Sequence, residues 1–147
     1  AEFGQSPWLD YIRRNLITSG ELQRLVDEEG LKGVTSNPAI FEKALAAGDD
    51  YKDFIAENAA TVTDAVTLYE RIAVRDIQNA ADILKSVYDA TNKRDGYVSL
   101  EVSPNLANDT EKTLDEARRL WEIVNRPNLM VKIPATTEGI SAIGQLI

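Results

Sequence analysis

The sequence contains no cysteine and no histidine. Without thiols there is no disulfide framework and no thiolate nucleophile. Without imidazole, the usual Cys/His zinc sites and any Ser-His-Asp triad are excluded. Acid–base chemistry must then fall to Asp, Glu, Lys, Tyr or water. No apolar run approaches the ~20 residues of a membrane-spanning helix. Neither of the glycine-rich phosphate loops, GxGxxG and GxxxxGK, is present. The opening stretch "AEFGQSPW" lacks the basic end and apolar centre of a signal peptide, so a cytoplasmic protein is expected. Residues 1–4 carry no fold signal and are set aside as a candidate cloning remnant. Positive charge is also scarce: 16 Lys and Arg face 24 Asp and Glu, a net charge of −8. That balance argues against non-specific nucleic-acid binding, which needs clustered positive charge.

What remains is the composition of a globular α/β protein. The 147 residues, 44% hydrophobic and 27% charged, suffice for one domain with a core. Four segments read as strands: 6–10, 31–38, 96–104 and 128–136. Three end in or next to proline, which suits a strand exit rather than a strand centre. Helices are expected at 12–17, 21–28, 39–47 and 50–59. A long helix or a broken pair is expected over 63–92, and another helix over 110–125. In that last segment Leu114, Ala117, Leu120, Trp121 and Val124 form one apolar face, and Asp109 or Thr110 can cap it. Gly20, Gly30 and Gly48 stand where helices should stop. Strands alternating with helices predict a parallel sheet. The gap between the second and third strands is about twice a normal βα spacing and must hold extra helices.

Strand side chains alternate with a period of two. In "NLMVKIPAT", Leu129, Val131 and Ile133 share one face; Met130, Lys132 and Pro134 share the other. The same alternation puts Tyr97, Ser99, Glu101 and Ser103 opposite Val98, Leu100 and Val102, Thr35 and Asn37 together, and Asp10 with Trp8. Each strand therefore aims a polar residue to one side, near its C-terminal end. In barrels of parallel strands that is where the site forms. A lysine in an apolar wall loses hydration, which favours the neutral amine. The neutral amine attacks carbonyls and forms a Schiff base, an electron sink that requires neither metal nor cofactor. Asp10 and Glu101 would carry the protons.

Each of these residues has a plainer reading. Lys132 could be half of a buried ion pair with Glu101 or Asp10. Asp10 could cap a helix starting near Tyr11, and Asn37 could cap one that has Pro38 at its first position. Thr35 could be strand filling. The arginine pairs at 13–14 and 118–119 read as solvated surface, Trp121 and Leu120 as core, and "GDD" at 48–50 as a turn and cap.

Four stretches taken together resemble transaldolase: "WLDYIRRNLI" (8–17), "GVTSNPAIF" (33–41), "VSLEVSP" (98–104) and "LMVKIPATTEGISAI" (129–143). Their order and spacing also match, over about residues 7–147. The long segment before the third strand is similar to the larger transaldolases of the pentose phosphate pathway rather than to the shorter fructose-6-phosphate aldolases. The resemblance implies a (β/α)8 barrel and a cofactor-free transfer of a dihydroxyacetone unit from a ketose phosphate to an aldose phosphate. The implied substrates are fructose 6-phosphate, sedoheptulose 7-phosphate, glyceraldehyde 3-phosphate and erythrose 4-phosphate. It implies Lys132 as the Schiff-base lysine and Asp10 as the carboxylate handling the sugar hydroxyl proton. Glu101 would act through a water, and Asn37 with Thr35 would hold substrate hydroxyls. Where the family frequently has TTNP, this chain has Ser36, on the face expected to lie away from the site. A complete barrel needs roughly 250 residues, so one incomplete barrel domain of four βα units is expected over 1–147. Such a half exposes two sheet edges, so either the chain is a fragment with weak or no turnover, or two copies pair their edges. In the second case it would be an inactive folding or assembly unit with Lys132 ion-paired. A lysine aldolase that cleaves without transferring is a third reading.

Overall fold

The computed structural model describes residues 3–46, 49–58, 60–62 and 64–147. Four short parallel strands run in sequential order: β1 (Trp8–Asp10), β2 (Gly33–Thr35), β3 (Tyr97–Glu101) and β4 (Leu129–Lys132). Between them run α1 (Arg14–Thr18), α2 (Glu21–Glu29), α3 (Pro38–Ala46), α4 (Lys52–Asn58), α5 (Ala65–Ala90) and α6 (Thr110–Val124); α7 (Thr137–Leu146) follows β4. The α/β class, the parallel sheet and the order of units are as expected from the sequence. Every strand is shorter than the segment expected from sequence; β2, β3 and β4 leave the sheet ahead of Pro38, Pro104 and Pro134. Within the segment expected over 63–92, Ala65–Ala90 form one continuous helix, α5, whose cap Asp64 accepts the Thr67 N–H at 2.8 Å. Asp109 caps α6, accepting the Lys112 N–H at 3.0 Å. Gly30, at φ +70°, ends α2 in the left-handed region that glycine enters freely, whereas Gly20 precedes α2 rather than simply ending α1. Gly48 lies outside the described residues, as do residues 1–2 and the expected helix ends at 47, 59 and 63.

The aliphatic side of the sheet is the core. Val34, Val98, Leu100, Val102 and Leu129 are buried, and they pack under Ile77, Ala80, Ala81 and Leu84 of α5 and Leu120 and Val124 of α6. Each fully buried Leu, Ile or Val contributes about 1.5–3 kcal/mol. The other side of the sheet is open, with Trp8 38% and Met130 42% exposed. The alternation read from sequence is thus the alternation observed.

Trp121 departs from expectation: Leu120 is buried, but Trp121 is 48% exposed. The buried residues of α6 are Thr113, Leu114, Ala117, Leu120 and Val124; Trp121 is at helical spacing from Ala117 and Val124 but faces a groove shared with Val131 and Ile143. The start of α7 is tighter. A Cβ on Gly139 would lie 1.9 Å from the Pro134 carbonyl oxygen, in the loop that leaves β4. Gly139→Ala is expected to cost about 1–3 kcal/mol, because backbone rather than a mobile side chain must give way. A thermal melt checks it.

Candidate active site

Lys132 ends β4 in direct register with Glu101 of β3, and Asp10 ends β1 in register with Thr35 of β2. Period-two alternation sends all four side chains to the open face. Lys132 crosses that face. Its Nζ lies 3.5 Å from Glu101 Oε2 and donates to the Ser36 carbonyl oxygen at 2.9 Å and to Thr35 Oγ1 at 3.5 Å. The side chains of Lys132 and Glu101 are 38% and 23% exposed. The amine therefore lies among polar atoms on a half-open face, rather than in the apolar wall expected from the strand's composition.

A second tier of hydroxyls supports the first. Ser99 is buried; its Oγ donates to Thr35 Oγ1 at 2.9 Å and accepts the Ser36 N–H at 3.4 Å. Ser36 Oγ in turn donates to the Ser99 carbonyl at 2.7 Å. Strand reading placed Ser36 on the face away from the site. Its side chain does turn into the sheet, but its carbonyl leaves the ladder where β2 ends and meets Lys132. Ser99 was legible only as a member of the polar face of β3, and nothing in its spacing marked it as the support of Thr35. Behind Glu101, burial pushes the Tyr69 phenol pKa up and the Glu101 carboxylate adds to the rise.

The other candidates divide. Asn37 Oδ1 accepts the Ile40 N–H at 2.9 Å and Pro38 is the first residue of α3, so the capping role read from "NP" is present. Asp10 caps nothing: α1 begins only at Arg14, its cap position is Arg13, and Asp10 makes no side-chain hydrogen bond or ion pair among the described residues. The carboxylate is exposed at the strand end. No group of three or more Asp or Glu suited to a metal ion occurs among the described residues. No helix among them is long and apolar enough to cross a membrane.

An amine, a carboxylate beside it and a second carboxylate three strands along the same face fit carbonyl chemistry on a lysine. The family model described as transaldolase/fructose-6-phosphate aldolase matches residues 7–147. The chain belongs to that family. It is 47% identical to Transaldolase 2 of Nostoc punctiforme over 99% of its own length and 38% of the relative's. It is 51% identical to the transaldolase of Thermobifida fusca over 97% of the chain and 39% of the relative. With the transaldolase of Thiobacillus denitrificans it shares 47% identity over 97% of the chain and 40% of the relative. The chain thus spans about two fifths of the length of the curated relatives it matches. The sheet of this family member supplies four successive parallel βα units of the family's barrel, with α3, α4 and the 26-residue α5 filling the long gap between β2 and β3.

The arginine pairs also divide. Arg119 binds Glu70 and Glu116 on the solvated face, as expected. Arg13 and Arg14 were expected to be surface as well. Instead Arg13 Nε donates to Asp50 at 2.5 Å, and Arg14 reaches the fully buried Asp76 at 2.8 Å. In the described part of the expected 48–50 turn and cap, the Asp49 carbonyl accepts the Lys52 N–H at 3.0 Å.

Proposed function

We propose that the chain carries the Schiff-base chemistry of a transaldolase, with Lys132 as the nucleophile. The observation that carries this reading is the Lys132 amine 3.5 Å from Glu101, on the same open face as Asp10. The neutral amine adds to the C2 carbonyl of a ketose phosphate. Glu101, through a water, delivers the proton with which the carbinolamine oxygen leaves as water, giving the iminium. Asp10 takes the proton of the C4 hydroxyl, and the C3–C4 bond breaks. Its electron pair flows into the iminium to form an enamine, and an aldose phosphate departs. The enamine then attacks a second aldehyde, and hydrolysis returns the amine. Thr35 and Asn37 hold substrate hydroxyls; Asn37 does so with its amide nitrogen, since Oδ1 is engaged in the cap. The substrates are those the resemblance implies, the location is cytoplasmic, and the chain alone turns over slowly.

Trapping with borohydride tests the division of roles. With fructose 6-phosphate, the chain should yield a reduced three-carbon adduct. Asp10→Asn should yield the intact six-carbon adduct instead, because condensation survives and cleavage does not. A three-carbon adduct in Asp10→Asn would remove Asp10 from the cleavage step. Capture of a six-carbon sugar only, in the chain itself, would show that cleavage does not occur.

A second reading follows from the same ion pair. The chain would be an assembly unit that pairs its sheet edges with a second copy, and Lys132 would serve only to hold Glu101. Lys132→Met separates the two readings.

A further inference from the structure

Outside the site, the densest buried polar cluster among the described residues joins α1, the segment ahead of α4, and α5. Asp76 on α5 is fully buried and Tyr51 is 1% exposed. Arg14 Nε and Nη2 donate to Asp76 Oδ1 at 2.9 and 2.8 Å, and Tyr51 Oη donates to Asp76 Oδ2 at 2.9 Å. The Arg14 backbone N–H donates to Tyr51 Oη at 3.0 Å. The guanidinium lies 4.8 Å from the Tyr51 ring centre and 4.7 Å from that of Phe54. Burial pushes the Asp76 carboxyl up, and Arg14, Tyr51 and Arg75 oppose the rise.

Such a network needs a reason, since apolar side chains of similar size are often as stable. The reason lies in what it holds. Helix α1 has five residues and no side-chain cap. A helix that short has almost no stability of its own, and its first N–H groups lack partners within the helix. Tyr51 supplies a partner from outside, and Asp76 fixes the arginine at the same residue. Three residues separate Arg14 from Asp10, with Ile12 between them fully buried. Asp10 has no side-chain partner of its own among the described residues. One side of its backbone is set by the pairing with Thr35, and the other by the turn that this cluster anchors.

We infer that Arg14, Tyr51 and Asp76 are positioning residues for Asp10: their clasp fixes the turn between β1 and α1 and so aims the Asp10 carboxylate at the face that holds Lys132. The inference rests on the Proposed function, and its test separates the two. At low ionic strength, a carboxylate on that face repels an anionic acylating reagent and lowers its local concentration. Lys132 is acetylated with a sulfonated N-hydroxysuccinimide ester of acetic acid at fixed pH, and its rate is read by peptide mass spectrometry. Asp10→Asn should speed the reaction about two-fold or more. Tyr51→Phe, which keeps the ring and removes the hydroxyl, should reproduce at least half of that gain. In the Asp10→Asn background it should add nothing, as a double-mutant cycle requires of coupled groups. Arg14→Lys, which keeps the charge and loses the fork, should behave likewise and guards against a folding defect in any one variant. An unchanged rate in both clasp variants, or an equal gain in both backgrounds, would overturn the clasp while leaving the site intact. No gain from Asp10→Asn itself would overturn the shared face of Asp10 and Lys132, and the inference with it.

Discussion

Lys132→Met is expected to abolish borohydride trapping of fructose 6-phosphate while leaving the fold as stable as before. The loss should be at least 100-fold, down to the background of the surface lysines, because no other described lysine shares a face with Glu101 and Asp10. The stability change should be small for a physical reason. A half-exposed pair at 3.5 Å is worth only about 0–1 kcal/mol once solvent screening and side-chain entropy are counted. Methionine fills a similar length, and Met130 beside it already tolerates exposure on this face. Trapping and a thermal melt on the same sample separate the two functional readings. Lost trapping with an unchanged melt supports catalysis; a large shift of the melt in either direction supports the structural ion pair.

Arg14→Met should have the largest effect on stability. It leaves the Asp76 carboxylate, fully buried, with Tyr51 as its sole hydrogen-bond partner among the described residues. Breaking one side of a buried pair costs about 3–5 kcal/mol, because the remaining charge is uncompensated. The pH dependence gives this prediction its sign. Burial already holds the folded-state pKa of Asp76 above its unfolded value, and removing Arg14 takes away the largest opposing influence. A carboxyl with a raised folded pKa contributes stability that is fully present below the unfolded value and is lost as pH rises through the folded one. The variant should therefore be hurt most at neutral pH and recover part of its deficit toward pH 4. Urea melts at several pH values measure this. A deficit that grows on acidification would contradict the assignment of Asp76 as the stranded charge.

The fold was legible where local chemistry repeats it. Pro38, Pro104 and Pro134 mark the strand exits, Asp109 and Asn37 cap α6 and α3, and the alternation Val98, Leu100, Val102 against Ser99 and Glu101 gives the two faces of β3 directly. The same alternation put Lys132, Glu101, Thr35 and Asp10 on one face, and the register of the parallel strands keeps them there. Long-range pairing was not legible. Asp76 lies 62 residues from Arg14, so "RR" after a strand carried no sign that its second arginine reaches a buried carboxylate. Nor could a period-two rule anticipate a backbone atom: the Ser36 carbonyl reaches Lys132 only because β2 stops at Thr35. Trp121 misled through its size. A large aromatic at helical spacing from Ala117 and Val124 reads as core, but it faces a groove beside Val131 and Ile143 that no described element fills.

One measurement bears most directly on the central claim that Lys132 is the amine that captures the sugar. The chain is incubated with fructose 6-phosphate, reduced with borohydride, digested, and the modified peptide sequenced by mass spectrometry. The expected result is a single reduced adduct within "NLMVKIPATT", on Lys132. An adduct confined to another lysine, or label spread evenly over all of them, would contradict it.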